Sequence, residues 1–222
     1  KSSAHTCCCP FDSTIVTTRP SDTAKPDIAY SLETGDAFIQ RFLDALGLDK
    51  VVFIGNSIGG LLGWVAARRR PEQCLWLVLS APVGIGRGLA WSLRVASVPV
   101  VGSLLLSLEK RSKDGFVKRL FSHPERVNPA VYEELQRIRK LPGHFRATTR
   151  SMRNGATLGG VRRSLVLFND GDRSFPVPTL LTWGEGDQML PVEQAHKVTR
   201  LAPGVEVHIW ADCGHWPHME KA

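Results

Sequence analysis

The sequence predicts an α/β fold: a mostly parallel sheet flanked by helices and interrupted by a helical insertion. Three observations predict it. Residues 51–54, Val51-Val52-Phe53-Ile54, form a short, wholly apolar run, as expected of a parallel strand covered on both faces. Runs of the same kind recur at residues 75–79 and 178–183, and residues 205–210 alternate with Val205, Val207 and Ile209 on one side. Between residues 84 and 174 the strand–helix alternation stops, and helical segments rich in Arg, Leu and Gly take over.

Taken in order, residues 1–29 are irregular and turn-rich, punctuated by Pro10, Pro20 and Pro26. Ser31 is a good N-cap for a helix whose apolar face is Phe38, Ile39, Phe42, Leu43 and Leu46 and which ends at Gly47. The strand at 51–54 is then expected at the centre of the sheet. It feeds a helix closed by Arg68, Arg69 and Arg70 just before Pro71, where three cations complement the helix dipole and stay solvated. The strand at 75–79 ends at Ser80-Ala81-Pro82. In the insertion, residues 130–140 read as a helix. The apolar stretch 95–108, broken by Pro99 and Gly102, is too short to span a bilayer and reads as one or two lid helices lining an apolar pocket. The expected division is a core at 1–83, a helical cap or lid at 84–174 and a returning core at 175–222.

The chemistry centres on Gly55-Asn56-Ser57-Ile58-Gly59-Gly60. A strand that turns sharply into a helix through Gly-x-Ser-x-Gly is a nucleophile elbow, which presents the serine hydroxyl above the sheet. Gly55 and Gly59 carry no Cβ to clash with the strained turn, and Gly60 lets the helix lie close to the strand. The Ile58 amide, at the helix N-terminus, is an expected oxyanion donor. The rival explanation is that Ser57 only caps the helix. Downstream, Asp187 follows the strand at 178–183 and His215 follows the strand at 205–210, so nucleophile, acid and base come in the order Ser, Asp, His. Sites on open parallel sheets gather at the C-terminal ends of the strands, where all three would converge. Asp187 also fits a simple turn-former. Asp170, Asp172, Glu185 and Asp212 are rival acids, and His218 reads as a surface histidine.

These segments carry a resemblance. The elbow Gly55 to Gly60, the acid loop Trp183-Gly184-Glu185-Gly186-Asp187-Gln188-Met189-Leu190-Pro191 and the tail Cys213-Gly214-His215-Trp216 resemble the α/β-hydrolase fold, and most of all its meta-cleavage-product hydrolases. Those enzymes split a carbon–carbon bond next to a ketone in the ring-fission products of aromatic degradation. The resemblance runs from about Tyr30 onward. It implies that Ser57, Asp187 and His215 form a catalytic triad working through an acyl-enzyme, that the insertion caps the site, and that Asn56 and Trp216 contact substrate, with Trp216 in the cavity wall. Haloalkane dehalogenases and most epoxide hydrolases of the fold use an aspartate nucleophile, so Ser57 sets this chain apart from them. The fold normally begins with strands carrying a His-Gly loop that supplies the second oxyanion donor. No His-Gly pair precedes Ser57, and Ser21-Asp22 is its nearest remnant. The early strands and the final helix are therefore expected to be missing from the chain. The function implied is a serine hydrolase for a small apolar carbonyl compound, an ester or a vinylogous diketone. A general carboxylesterase and a non-catalytic ligand-binding member of the fold are the alternatives.

Composition narrows the partners. The 222 residues are 43% hydrophobic and 22% charged, ordinary for a globular enzyme, and the net charge is +7. The basic residues are dispersed among helical segments without a stacking surface, which disfavours nucleic acid. Of five cysteines, Cys7, Cys8 and Cys9 are consecutive, and no Cys-x-x-Cys spacing points to zinc. No metal or other cofactor is expected, and neither is stable insertion into a membrane. The compartment is expected to be reducing, the cytoplasm or an organellar lumen or stroma after removal of a targeting segment. The expected partner is a small-molecule substrate, with self-association left open.

Overall fold

The computed structural model describes residues 28–111, 117–169 and 171–221. The features noted at Cys7, Cys8, Cys9, Ser21-Asp22 and Asp170 lie outside the described residues.

Helix α1 (Leu32–Leu46) starts where the Ser31 hydroxyl accepts the Thr34 amide at 3.3 Å. It stops at Gly47, whose φ of 61° suits a residue without Cβ. Its buried residues are Asp36, Ile39, Gln40 and Leu43, and Ile39 and Leu43 pack with Leu62 and Ala66 of the next helix. Leu46, expected on this face, is instead exposed beyond that contact.

Strand β1 (Val51–Asn56), helix α2 (Ile58–Arg69) and strand β2 (Cys74–Ser80) follow, with a short 3₁₀ turn at Pro71–Gln73. The insertion contributes α3 (Trp91–Ala96), α4 (Val101–Arg111), α5 (Val117–Leu120), α6 (Pro129–Arg139) and α7 (His144–Gly155). It closes with an antiparallel pair of two-residue strands, β3 (Ala156–Thr157) and β4 (Gly160–Val161), which the sequence patterns did not foreshadow. Then come β5 (Thr179–Gly184), α8 (Glu193–Leu201), β6 (Glu206–Trp210) and the one-turn α9 (Pro217–Glu220). The main sheet is parallel throughout, in the order β1-β2-β5-β6.

Three expectations need correction. Among the described residues β1 is an edge strand with β2 as its neighbour, not a central strand. Phe53 packs toward α2, but Val52 and Ile54 alternate onto the opposite face and are 48% and 70% exposed. The arginines closing α2 are not simply solvated. Arg68 pairs with Asp172 at 2.7 Å, Arg69 with the buried Asp36 at 2.7 Å and Arg70 with Asp44 at 2.6 Å. The break at Pro99 does yield two helices, α3 and α4, but within the stretch 95–108 Val100, Val101 and Leu104 are exposed rather than set into an apolar pocket.

The core sits between the sheet and the helices. Trp64, Leu77, Leu79, Leu181 and Trp183 are fully buried or nearly so. Ile85, Leu89, Ala156, Val161 and Phe168, from the two ends of the insertion, belong to the same cluster. Arg68 reinforces this seam. Its guanidinium lies 5.4 Å over the Trp64 ring, which stacks on Phe175 at 4.5 Å. A second cluster, Leu120, Phe121, Leu135 and Met189, joins the insertion to the loop after β5. Among the described residues no helix is long and apolar enough to cross a membrane.

Candidate active site

Ser57 stands alone between β1 and α2, with φ 55° and ψ −119°. For a residue with a Cβ this is a strained conformation costing about 1–3 kcal/mol, and the surroundings enforce it. The Ser57 amide donates to the Ser80 carbonyl at 2.9 Å, and the Ser57 carbonyl accepts from Leu61 at 3.2 Å and Val83 at 3.0 Å. A Cβ on Gly55 would lie 2.5 Å from the Gly59 carbonyl, and one on Gly60 would lie 2.9 Å from Pro82 Cβ, so both positions require glycine. The Ser57 hydroxyl makes no capping bond to α2, which removes the helix-cap explanation. Ile58 is the first residue of α2, so its amide is one of the helix's orphan donors.

Asp187 and His215 meet at the far side of this end of the sheet. His215 Nδ1 lies 2.7 Å from Asp187 Oδ2, and both side chains are nearly sealed from solvent, 4% and 0% exposed. An ionised carboxylate only accepts, so Nδ1 is the donor of this pair, the tautomer in which a neutral imidazole keeps its lone pair on Nε2. The other carboxylate oxygen, Oδ1, accepts the Met189 amide at 2.7 Å and the Leu190 amide at 3.0 Å. Asp187 thus shapes the turn with one oxygen and pairs with His215 through the other. The loop is fixed further by the buried Trp183 indole, which donates to the Leu190 carbonyl at 3.1 Å, and by the Gly186 amide on the Cys213 carbonyl at 2.9 Å.

The rival acids point elsewhere. Asp172 pairs with Arg68 and accepts from Ser174, and Glu185 and Asp212 are exposed. His218 is exposed, with its ring 5.7 Å from that of Trp216.

Asn56, expected against substrate, uses its amide inside the protein. Nδ2 donates to the Ser80 carbonyl and the His215 carbonyl, each at 3.0 Å. Trp216 is half-buried and meets Phe121 of the insertion edge-on, with ring centroids 5.5 Å apart. The His215 amide donates to the Leu120 carbonyl at 2.8 Å, so the insertion grips the histidine segment directly. Sequence reasoning missed Leu120, Ser122 and Glu220, which complete this junction across nearly a hundred residues of chain. The Asp187-Gln188-Met189-Leu190 turn was the one local signal available.

Cys213, buried beside His215, is inert by environment. Burial, followed by the nearby Glu220 carboxylate, pushes its thiol up to about 12. A cleft of about 240 Å³ opens beside the acid loop between Leu89, Glu185, Gln188, Met189 and Glu193, but neither Ser57 nor His215 lines it.

The structure thus holds a strained serine at a strand–helix turn and a buried histidine–aspartate pair after neighbouring strands, and the chain is similar to several known proteins. It is 29% identical over 203 residues to a 2-hydroxy-6-oxo-6-(2'-aminophenyl)hexa-2,4-dienoic acid hydrolase of Metapseudomonas resinovorans, covering 89% of this chain and 65% of that one. It is also 29% identical over 189 residues to the dihydrolipoyllysine-residue acetyltransferase component of an acetoin cleaving system of Cupriavidus necator, covering 83% of this chain and 46% of the relative. The chain thus spans about half to two thirds of the length of these curated relatives. Among solved structures it resembles a serine hydrolase involved in carbazole degradation, with a TM-score of 0.66 and 26% identity over 89% of this chain and 69% of that one. The family model described as alpha/beta hydrolase fold matches residues 1–222, and the chain belongs to that family.

Proposed function

We propose that the chain acts as a serine hydrolase with Ser57 as nucleophile, His215 as general base and Asp187 as its orienting acid. The observation that carries this is the buried 2.7 Å bond between His215 and Asp187, held next to the elbow by Asn56. His215 Nε2 takes the Ser57 hydroxyl proton as Oγ attacks a substrate carbonyl, and the Ile58 amide stabilises the oxyanion. The tetrahedral species collapses, the leaving group takes the proton from His215, and an acyl-enzyme remains. Water, deprotonated by His215, then releases the acid and restores Ser57.

The substrate is a small apolar carbonyl compound. Two things support this class. The cluster Leu120, Phe121, Leu135 and Met189, with Trp216 against it, places apolar side chains beside the histidine segment. The relative from Metapseudomonas resinovorans is named for a 2-hydroxy-6-oxo-dienoic acid. In this reading the insertion is the cap. The test compares wild type with Ser57→Ala on a 2-hydroxy-6-oxo-dienoate and on a short p-nitrophenyl ester. Turnover of the dienoate that is abolished by Ser57→Ala is the expected result. Turnover of the ester alone assigns the site to a carboxylesterase, and a compound that raises the melting temperature without being consumed assigns it to ligand binding.

A further inference from the structure

The described side chains outside the triad include one carboxylate with a demanding set of partners. Glu220, on α9, accepts the Ser122 amide at 2.8 Å and the His123 amide at 3.2 Å through Oε1, and the Gly214 amide through Oε2. Ser122 and His123 belong to the insertion, whereas Gly214 immediately precedes His215. Next to this clamp the His215 amide donates to the Leu120 carbonyl. Three residues of the insertion, Leu120, Ser122 and His123, are therefore bonded to the histidine segment through two devices, one direct and one through Glu220.

The junction is backbone against backbone. A Cβ on Gly214 would lie 2.7 Å from the Leu120 carbonyl oxygen and 2.8 Å from the Ser122 nitrogen, and one on Gly186 would lie 2.6 Å from Ser122 Oγ. Chains this close, yet not paired as strands, leave the Ser122, His123 and Gly214 amides in need of an acceptor from a side chain. A carboxylate supplies charge-assisted acceptors to all three. Glutamine supplies one acceptor oxygen and presents an NH₂ group to an amide N–H.

We propose that Glu220 is a positioning residue: it locks the insertion onto the Gly214–His215 peptide and so sets where the His215 ring sits relative to Ser57. This deepens the catalytic reading above and rests on it. Glu220 touches no reacting atom in that scheme. Its effect passes through the His215 backbone, and a displacement of 1 Å at such a site is enough to cost roughly 10²-fold in rate.

The test uses the full chain with Glu220→Gln and, as a second variant that keeps a carboxylate, Glu220→Asp. Three quantities are read: amide hydrogen exchange at Ser122, His123 and Gly214, the far-downfield proton resonance of His215 Nδ1–H on Asp187, and the rate of Ser57 labelling by a fluorophosphonate. In Glu220→Gln the amides are expected to exchange at least about tenfold faster, the downfield resonance to shift or broaden, and labelling to slow by roughly 10- to 100-fold. Glu220→Asp should lie between Glu220→Gln and wild type, and it carries the same readouts if Glu220→Gln does not fold. Faster amide exchange with an unchanged resonance and labelling rate in either folded variant would overturn the proposal and leave Glu220 a stabilising contact only. If wild type itself does not label, the catalytic reading fails. A shifted resonance in the variant would then still support the positioning role, and an unshifted one would overturn it as well.

Discussion

The Asn56 side-chain amide donates to the His215 carbonyl at 3.0 Å. The residue just before the elbow serine thus holds the backbone of the histidine proposed as its base. The same Nδ2 reaches the Ser80 carbonyl, so β1, β2 and the histidine segment share one donor group. Together with the Leu120 carbonyl on its amide and Asp187 on its ring, His215 is held from the elbow, the insertion and the acid loop at once.

The first prediction follows from that bond. Asn56→Leu takes the side-chain donor from the His215 carbonyl and leaves the Ser80 carbonyl with the Ser57 amide alone, and should cost about 1–3 kcal/mol in denaturant unfolding. In kinetics the loss should fall on kcat, with KM changed less than about twofold, because the Nδ2 group is bonded within the protein. A large rise in KM at constant kcat would instead point to a direct contact between Asn56 and substrate.

Asp187 has two sets of partners that mutation can separate, the loop amides on one oxygen and His215 on the other. Asp187→Asn keeps an oxygen for the Met189 and Leu190 amides, so the loop should survive with a melting temperature near that of wild type. Its amide nitrogen would donate toward Nδ1 and force the opposite tautomer on His215, so turnover should fall by roughly 10⁴. Asp187→Ala should add a loss of stability of about 1–3 kcal/mol, because two loop amides lose their acceptor. Thermal melts and single-turnover rates on both variants check this. Equal melting temperatures for Asp187→Asn and Asp187→Ala would contradict the dual role.

Two glycines should respond in opposite measure to alanine. At Gly55 the new Cβ would press on backbone 2.5 Å away, which cannot swing aside, so Gly55→Ala should lose more than about 4 kcal/mol or fail to fold. At Gly47 nothing lies within 4 Å of the new Cβ and the penalty is the left-handed backbone alone, about 1–2 kcal/mol. Soluble yield and urea unfolding of the two proteins separate steric exclusion from backbone strain.

Cys213 gives a pH dependence. Its thiol is raised from 9.0 to about 12, so the folded state holds the proton more tightly than the unfolded chain does. That contribution is complete below the ordinary thiol value and disappears as pH climbs toward about 12. The urea midpoint of wild type should therefore fall more steeply than that of Cys213→Ala as pH rises above 9.0. Iodoacetamide at pH 8 should leave Cys213 unlabelled in the native protein and label it after unfolding.

Legibility in the sequence followed the range of the interactions. The elbow at Ser57, the strands before Asp187 and His215 and the Ser31 cap of α1 are all written in a few adjacent residues, and the structure places each where those residues imply. Pairings across the fold left no local trace. Arg68 to Arg70 read as solvated cations because Asp172, Asp36 and Asp44 lie far away in sequence or on another helix. Glu220 carried no local signal, because its three amide partners come together with it only in the folded chain. The exposure of Val100, Val101 and Leu104 was hidden for a different reason: apolar content marks a helix as amphipathic but does not say which way the insertion presents it.

The central claim is that Ser57 is a nucleophile activated by His215 and Asp187. Its most direct measurement is covalent labelling by a fluorophosphonate, with the modified peptide mapped by mass spectrometry in wild type and in Asp187→Asn. Stoichiometric modification at Ser57 is expected in wild type, with labelling slowed by roughly 10⁴ in the variant. No label on wild-type Ser57, or the same rate in both proteins, would contradict it.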